Sequence, residues 1–331
     1  MTRTARAIVV CVRDEGLWLL EWIAYHRTIG FDRLFVASND CTDGTDLMLD
    51  RLHDLGEVVH LPNSVPPGVS PQEAGCSLAL AHPEMASVEW LLHIDIDEYL
   101  HVSAGAGQID DLLAAAGPCD CIAVSWRMFG SAGRRTWDGG SVLESNIRSE
   151  GWLRRGRSLQ KCLFRPEKFA SIYSHMPKDP VSRDIVLKNP AGAVMPNDAL
   201  FAPRQARHRS ALVQSFSWAV ADIHHYAIRA LDVFLLKNIR GDGLGISHQK
   251  YLRGSSFWKV AERNEVEDTA ILRHLPALRR RLDTLRGDQP LADLERQAFA
   301  AFATLRQRVL IEDGRFGWND ADVPVLSEVG P

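Results

Sequence analysis

Short apolar segments rich in β-branched residues alternate with helical patterns over the first 61 residues, and this order constrains the fold more than any other feature. Residues 7–12, 33–37 and 58–61 each have the length and composition of a buried strand. Between them, apolar residues recur at helical spacing over 17–30 and 47–56. This order is typical of an α/β fold with a doubly wound, mostly parallel sheet and helices on both faces. Ligands of such sheets bind at the carboxyl ends of the strands.

A fourth apolar segment ends in two carboxylates. Residues 91–96 have the pattern of a buried strand, and Asp95 and Asp97 lie two positions apart at its end. Side chains two apart on an extended chain point the same way, so we expect these carboxylates about 6 to 7 Å apart. Two carboxylates this close repel each other unless a cation lies between them or one of them is protonated. The pair is therefore a candidate site for Mg²⁺ or Mn²⁺ bridging a diphosphate, and the alternative is a solvated turn. The same motif recurs at Asp320 and Asp322, with no strand before it.

Polar side chains also follow the first two predicted strands. Arg13 and Glu15 come directly after the first strand, and Asn39 and Asp40 come after the second. Because the carboxyl ends of parallel strands meet at one edge of the sheet, these side chains and the Asp95 pair are expected to share one site.

Several ordered motifs resemble the family-2-like glycosyltransferases, and more narrowly a branch of them first described only as a domain of unknown function. Three matching segments are residues 12–30, 38–45 and 93–100. Further matches downstream are residues 126–133, Lys161 with 164–166, and His225-Tyr226 followed by Phe234, Lys237 and 240–241. The resemblance extends roughly from residue 7 to 241. It departs at Asp14, where the family usually has asparagine.

The resemblance implies a GT-A fold, a nucleotide-sugar donor, and Mn²⁺ or Mg²⁺ as the cofactor. Asp97 would bind the cation directly, Asp95 would reach the ribose or a metal-bound water, and His225 would be a third protein ligand. Lys237 and Arg240 would neutralise the leaving diphosphate. The expected donor-binding residues are Arg13, Glu15, Asn39, Asp40, Asp95, Lys161, Lys237 and Arg240.

Aromatic and acidic side chains downstream are candidates for the acceptor side of the site. Sugars stack their apolar faces on aromatic rings, so Trp126, Phe129 and Trp137 are candidate acceptor-binding residues. An inverting enzyme, which the resemblance implies, needs a base for the acceptor hydroxyl. Asp179 and Asp242 are the candidate bases, beside Asp97 at the metal.

Length and composition agree with a single soluble enzyme. The chain has 331 residues, of which 46% are hydrophobic, so it can bury a sizeable core. We predict a catalytic, nucleotide-sugar-binding domain over 1–245 and a mainly helical region over 246–331 that packs on it. A net charge of -4 argues against a general nucleic-acid binder. Residues 176–209, with scattered prolines, are expected to form either a lid over the acceptor site or a disordered loop.

The chain is expected in the cytoplasm. It has no stretch of the roughly 18 apolar residues that a membrane-spanning helix needs, and its six cysteines lack a secretory segment. The C-terminal helical pattern carries Arg279, Arg280, Arg281 and Arg286. This basic stripe is either a solvated face or a peripheral contact with the inner face of a membrane.

The leading functional hypothesis is a metal-dependent, hexosyltransferase-like enzyme. It would move a sugar from a nucleotide-sugar, with a UDP-sugar as the first choice, to a glycan or lipid-linked acceptor, with inversion. The alternatives are a non-catalytic relative that binds nucleotide-sugars or carbohydrates, and a sugar-nucleotidyltransferase or phosphohydrolase. A nucleotidyltransferase should have a glycine-rich loop after its first strand, and residues 12–15 form none.

Overall fold

The computed structural model describes residues 3–65, 68–154, 159–202, 216–241 and 250–318. Its strands are β1 Ala5–Val12, β2 Arg33–Ser38, β3 Val59–Pro62, β4 Val88–His93, β5 Glu98–Val102, β6 Cys121–Met128, β7 Arg148–Ser149, β8 Gln160–Phe164, β9 Phe169–Tyr173, β10 Met176–Pro180, β11 Leu187–Lys188, β12 Ala221–His225 and β13 Val266–Glu267. Its α-helices are α1 Gly16–Thr28, α2 Thr45–Asp54, α3 Pro71–Ala81, α4 Ile109–Ala116, α5 Val142–Ser145, α6 Asp198–Phe201, α7 Leu231–Arg240, α8 Ser256–Ala261, α9 Leu275–Arg286 and α10 Gln289–Arg306.

One large sheet organises the molecule, with the strand order β3-β2-β1-β4-β8-β6-β12-β5. The strands β3, β2, β1 and β4 pair in parallel. The strand β8 runs antiparallel between β4 and β6, so β6 and its parallel partner β12 have the direction of β1. The edge strand β5 runs antiparallel to β12. The predicted mostly parallel sheet is therefore confirmed.

Helices cover both faces of this sheet. Alternate residues of β1 point to opposite sides. Ile8 and Val10 pack in a core that includes α1, α2, α9 and α10. Ala7 and Val9 pack in a second core, which contains Cys76 and Ala79 of α3. The predicted α/β class with helices on both faces is confirmed by this arrangement.

The C-terminal helices belong to the main core. Leu282 of α9 and Ala298 of α10 are buried in the same cluster as the residues of α1. The approach is close, because a Cβ atom on Gly16 would lie 2.7 Å from the Ala298 Cβ. The predicted partition at residue 245 stays a prediction, since residues 242–249 lie outside the described ranges. Within those ranges, none of the helices has both the length and the apolar character needed to cross a bilayer.

Three side chains of α1 hold the backbone of β5. The Trp22 indole donates to the Glu98 carbonyl at 2.9 Å, and the Tyr25 hydroxyl donates to the Leu100 carbonyl at 2.8 Å. The Leu100 N–H in turn donates to His26 Nε2 at 3.4 Å. Because these groups are buried, each bond satisfies a polar atom that water cannot reach. The first helix thus fixes the strand that directly follows the two aspartates.

The strand before the aspartates is shorter than the sequence predicts. We expected an extended chain over 91–96, but β4 ends at His93 and a tight turn carries Asp95 and Asp97. The Glu98 N–H donates to the Asp95 carbonyl at 3.0 Å, and the Asp95 N–H donates to the Glu98 carboxylate at 2.9 Å. These two bonds favour the turn over a longer strand. The expectation that both carboxylates project together from an extended strand is therefore wrong.

The proline-containing segment 176–209 also has more structure than expected. Its described part, up to residue 202, contains β10, β11 and α6. The strand β10 forms a hairpin with β9, and β11 extends the main sheet by pairing in parallel with β6. This part is neither a disordered loop nor a simple lid.

Buried histidines give the first testable prediction. Burial lowers the pKa of the His26 imidazole to about 3, against about 6.5 in an unfolded chain. Between these two pKa values, the folded protein therefore binds fewer protons than the unfolded chain. The stabilising contribution is complete above about pH 6.5 and is lost as pH falls, by about 1.4 kcal/mol per pH unit. Burial also lowers the pKa of His93 to about 3, which adds a second such contribution.

We therefore expect His26→Gln to reduce the slope of the unfolding free energy against pH by about 1.4 kcal/mol per unit. Urea unfolding between pH 6.5 and 4.5 measures the slope. The matched control is His53→Gln, at an exposed histidine at the end of α2, which should leave the slope unchanged. Equal slopes in the wild type and the His26 variant would show that His26 is protonated in the folded state.

Candidate active site

A cavity of about 390 Å³ opens at the carboxyl ends of β1, β2 and β12, beside the turn after β4. The chain reaches it from distant positions, as expected for the carboxyl edge of a parallel sheet. The predicted site residues that line it are Arg13, Glu15, Asn39, Asp95, Asp97, Trp126, His225, Lys237 and Arg240.

Asp97 forms an ion pair with a lysine from α7. Its Oδ2 atom lies 2.7 Å from Lys237 Nζ, and its Oδ1 atom lies 3.5 Å from His225 Nε2. Burial alone would raise the pKa of Asp97, but Lys237, His225 and Arg229 together hold it well below the usual value. The carboxylate is therefore charged at neutral pH, and it faces the cavity.

Asp95 has a different set of partners. Its Oδ2 atom lies 3.0 Å from Lys161 Nζ, and its Oδ1 atom accepts a hydrogen bond from Gln72 Nε2 at 2.9 Å. Burial raises the pKa of Asp95, yet the neighbouring Lys161 ammonium more than offsets this and lowers the pKa below its ordinary value. Both carboxylate oxygens already accept hydrogen bonds from protein groups.

Lys161 supports the site from behind. It is fully buried, lies 3.3 Å from Glu98 Oε2, and donates to the Ser174 carbonyl at 3.0 Å. Burial would lower the pKa of this lysine, but Asp95 and Glu98 raise it to about 12. The prediction that Lys161 binds the donor is therefore corrected. It positions Asp95 instead, because its ammonium is used by protein oxygens.

Glu15 lies between two arginines at the opposite wall. Its Oε1 atom lies 2.5 Å from Arg240 Nη1, and its Oε2 atom lies 3.8 Å from Arg229 Nη1. Arg240 also donates to the Arg13 carbonyl at 2.9 Å, so it ties the end of β1 to the end of α7. Burial raises the pKa of Glu15, and Arg240 offsets part of the increase.

Arg229 is a buried residue of the site that the sequence did not indicate. It is 1% exposed, and its guanidinium lies 4.1 Å from the centre of the Trp18 ring. Its Nη2 donates to the Ile96 carbonyl at 3.0 Å, inside the turn that carries the aspartates. Its backbone φ of 59° is in the left-handed region. Nothing in the sequence pattern signals that conformation.

The charges at the cavity favour an anion. Among the described residues, three carboxylates line it, Glu15, Asp95 and Asp97, and four basic side chains line it, Arg13, Lys237, Arg240 and Lys250. Burial raises the pKa of Glu98 well above its usual value and also raises that of Glu15. Any proton taken up by these two acids leaves positive charge in excess, and that excess would stabilise a bound phosphate.

The motif after β2 braces a loop and contributes little of the cavity wall. Asp43 Oδ2 accepts from the Gly16 N–H at 3.1 Å, and Thr45 Oγ1 accepts from the Glu15 N–H at 2.9 Å. These bonds satisfy the first backbone donors of α1. Asn39 lines the cavity. Asp40 is exposed and accepts from Asn39 Nδ2 at 3.0 Å, and its contact with a donor stays a prediction.

Two of the three predicted acceptor aromatics lie in the core. Phe129 is fully buried, with its ring 4.3 Å from that of His224. Trp137 is 6% exposed and packs between Trp18 and Phe299, at 4.6 and 5.0 Å between ring centres. Neither faces the cavity, so the acceptor-binding prediction is corrected for both. Trp126 lines the cavity.

One of the two candidate bases, Asp179, does not lie at the cavity wall. Asp179 is exposed on the β9–β10 hairpin, where it accepts from Ser171 Oγ at 2.5 Å. This location corrects the prediction that Asp179 is the base. Asp242 and the second aspartate motif at 320–322 lie outside the described residues.

A second group of metal-capable side chains lies on β5 and β12. The ligand atoms of His101, Asp222 and His224 are within 4.8 Å of one another, and all three residues are buried. His101 Nδ1 lies 2.7 Å from Asp222 Oδ1, and the two residues are cross-strand partners. Arg127 Nη1 is 3.8 Å from Asp222 Oδ2, so this carboxylate already has a cation nearby. We interpret the group as a hydrogen-bonded network that holds β5 to β12.

The comparisons agree with a glycosyltransferase class. The model of glycosyltransferase family 92 matches residues 6–189, which is more than half of the chain, and the protein belongs to this family. A family 92 protein of Ricinus communis is 31% identical over 132 residues, covering 38% of this chain and 23% of that protein. One of Oryza sativa subsp. japonica is 35% identical over 104 residues, covering 30% and 17%.

The chain thus spans less than a quarter of the length of either relative. The crystal structure of S. aureus TarS superposes with a TM-score of 0.36 at 13% identity, covering 92% of this chain and 55% of that one. This similarity is too low to define a shared fold.

We predict that Lys161 is needed for stability. Lys161→Met leaves Asp95 and the fully buried Glu98 without their shared cation. Breaking a buried ion pair costs about 3–5 kcal/mol, and proton uptake by Glu98 places the expected loss near 3 kcal/mol. Urea unfolding at pH 7 measures this change.

The control is Lys168→Met. Lys168 is half-exposed and pairs with Asp120 at 3.7 Å, so its loss should cost less than about 1 kcal/mol. Equal effects of the two substitutions would contradict the assignment of Lys161 as a buried counter-ion.

Proposed function

We propose that the chain transfers a hexose from a nucleoside-diphosphate sugar, with UDP-sugars as the first donors to test, to an acceptor hydroxyl with inversion. It would act as a metal-dependent member of the family-2-like branch that its motifs resemble. The observation that carries the proposal is the cavity at Asp97, where Lys237 and Arg240 bring positive charge beside a charged carboxylate. That combination suits a diphosphate bound together with a cation.

The residues fit a divalent cation at one carboxylate of the pair. Asp97 Oδ1 and His225 Nε2 are 3.5 Å apart, near the roughly 3 Å between neighbouring ligands of an octahedral ion. Asp95 fits less well, because Lys161 and Gln72 already occupy its two oxygens. We therefore narrow the proposed protein ligands to Asp97 and His225. When bound, Mn²⁺ or Mg²⁺ would supply positive charge to the departing diphosphate.

The donor would extend from the aspartate turn along the ends of β1 and β2. Arg13, Glu15 and Asn39 line that side, and carboxylate and amide oxygens accept hydrogen bonds from ribose hydroxyls. Lys237 Nζ is held between Asp97 and the Ala227 carbonyl, both at 2.7 Å. This fixed ammonium would bind the diphosphate without rearrangement, which makes its stabilisation effective.

The acceptor would enter over Trp126. This ring lines the cavity, as do Tyr251 and Phe257 from the segment that follows α7. Aromatic faces suit the apolar side of a sugar, so a glycan or the glycan part of a lipid-linked molecule is the proposed acceptor.

A peripheral membrane contact through α9 has less support than the donor and acceptor positions proposed above. Arg279 pairs with Glu144 at 2.6 Å and Arg286 pairs with Glu295 at 2.8 Å, so half of the basic stripe is already neutralised by protein.

Replacing Asp97 tests the catalytic proposal. Asp97→Asn preserves size but removes the charge that a cation needs, so kcat/KM for UDP release should fall by at least about 100-fold. Release is measured with UDP-glucose, UDP-galactose and UDP-N-acetylglucosamine in the presence of Mn²⁺. The control is Asp54→Asn, at an exposed aspartate at the end of α2. Near-normal turnover in folded Asp97→Asn protein would refute the assignment, and UDP binding without turnover in the wild type would favour the non-catalytic alternative.

The two adjacent histidines provide a matched test of the metal site. His225 Nε2 faces Asp97, whereas His224 lies on the other face of β12 against Phe129. We expect His225→Ala to raise the Mn²⁺ concentration for half-maximal UDP release at least about tenfold. His224→Ala should lower stability and leave the Mn²⁺ requirement unchanged. The reverse order would place the cation at the His101–Asp222–His224 group.

A further inference from the structure

We propose that Arg229 is a positioning residue, which fixes the turn that carries Asp97 and so sets the geometry of the cation site. The proposal rests on the metal-dependent glycosyl transfer proposed above. Arg229 is 1% exposed, and it is not among the described residues that line the cavity. It therefore acts on a bound cation or donor only through the residues that it contacts.

Two backbone carbonyls of the aspartate turn are held by the segment 226–229, which directly follows β12. Arg229 Nη2 donates to the Ile96 carbonyl at 3.0 Å, and the Tyr226 N–H donates to the Asp97 carbonyl at 2.8 Å. These carbonyls belong to the two peptide groups on either side of the Asp97 Cα atom. Because a peptide group is planar, holding both carbonyls fixes the backbone of Asp97 and the direction in which its side chain leaves the turn.

The same segment is continuous with other groups of the proposed cation and diphosphate site. His225 directly precedes it, and its Ala227 carbonyl accepts from Lys237 Nζ at 2.7 Å. A shift of the aspartate turn relative to this segment would change the 3.5 Å separation of Asp97 Oδ1 and His225 Nε2. Residues behind the ligands of a cation set its affinity by holding those ligands in place. Arg229 has this relation to the Asp97–His225 pair.

The backbone of Arg229 has an unfavourable conformation. Its φ of 59° lies in the left-handed region, which is costly for a residue with a Cβ atom. The Arg229 carbonyl accepts from Asn146 Nδ2 at 2.8 Å, which holds the backbone in place. Glycine would adopt this conformation at a lower cost. We infer that the guanidinium is the reason for an arginine at this position.

The guanidinium also has hydrogen-bonding capacity that the fold does not use. Among the described residues, Arg229 Nε and Nη1 have no hydrogen-bond partner, and neither has Glu15 Oε2, which lies 3.8 Å from Nη1. The Trp18 ring, 4.1 Å away, stabilises the charge but does not satisfy these donors. Buried donors without acceptors lower stability. A cost of this kind is typical of functional positions and is not expected of a residue that only stabilises the fold.

The experiment measures Mn²⁺ binding, which does not depend on turnover. Mn²⁺ is titrated by calorimetry into the full chain saturated with UDP. We expect Arg229→Met to weaken Mn²⁺ binding at least about tenfold, because the backbone of Asp97 is no longer fixed. UDP affinity without Mn²⁺ should change less than about threefold, since Glu15 keeps its contact with Arg240.

The matched control is Lys178→Met, which removes a buried cation on another element. Lys178 of β10 is 1% exposed, and its Nζ donates to the Ala199 carbonyl at 2.6 Å. This substitution should lower the midpoint of urea unfolding and leave Mn²⁺ affinity unchanged. An equal loss of Mn²⁺ affinity in both variants would show that lower stability, and not positioning, is the cause.

A double-mutant cycle separates positioning from a general loss of structure. If Arg229 acts through the Asp97–His225 pair, removing His225 removes most of its effect. Arg229→Met should therefore weaken Mn²⁺ binding less than about threefold in the His225→Ala background. A loss of the same size in both backgrounds would overturn the positioning role.

A second variant guards against a folding defect. Arg229→Lys keeps the buried charge, but a single ammonium does not reproduce the planar fork of the guanidinium, so Mn²⁺ binding should weaken at least about threefold. Smaller losses than these in either folded Arg229 variant would overturn the positioning role alone. A wild-type protein that binds UDP but no Mn²⁺ would overturn the metal-dependent function proposed above, and the role of Arg229 with it.

Discussion

The buried ion pair between Asp97 and Lys237 is the interaction on which the site depends. It joins residues 140 positions apart, at 2.7 Å, and so connects the turn after β4 to α7. A carboxylate removed from water is stable as a charge only beside such a cation. The same pair keeps Asp97 ionised and fixes an ammonium beside the position that we propose for the diphosphate.

A second buried lysine connects the two sides of the cavity. Lys161 contacts Asp95, Glu98 and the Ser174 carbonyl. Side chains of α1 then hold β5, the strand that starts at Glu98. Several residues of the sequence motifs therefore stabilise the aspartate turn and do not line the cavity. Trp22 and Tyr25 are two such residues, because their polar atoms donate hydrogen bonds to buried backbone carbonyls of β5.

Sequence patterns predicted the sheet well because each strand of the first half is a short apolar run closed by polar residues. The spacing of apolar residues does not predict where the polar side chains point once the strand has ended. The aspartate turn was missed because it is closed by Glu98, whose bond to the Asp95 N–H has no signature in periodicity. Trp137 was misplaced because its burial depends on Phe299 of α10, a contact from far along the chain. Lys161 was expected near the site, but its inward orientation depends on Glu98 being buried as well.

We propose that Asp97 and His225 together hold a cation beside a bound diphosphate. A crystal grown with UDP and Mn²⁺, measured at the manganese absorption edge, would locate the cation and the diphosphate. We expect one strong anomalous peak within about 2.3 Å of both Asp97 Oδ1 and His225 Nε2, with the diphosphate between that peak and Lys237. A peak at His101, Asp222 and His224, or UDP bound without any anomalous peak near Asp97, would contradict it.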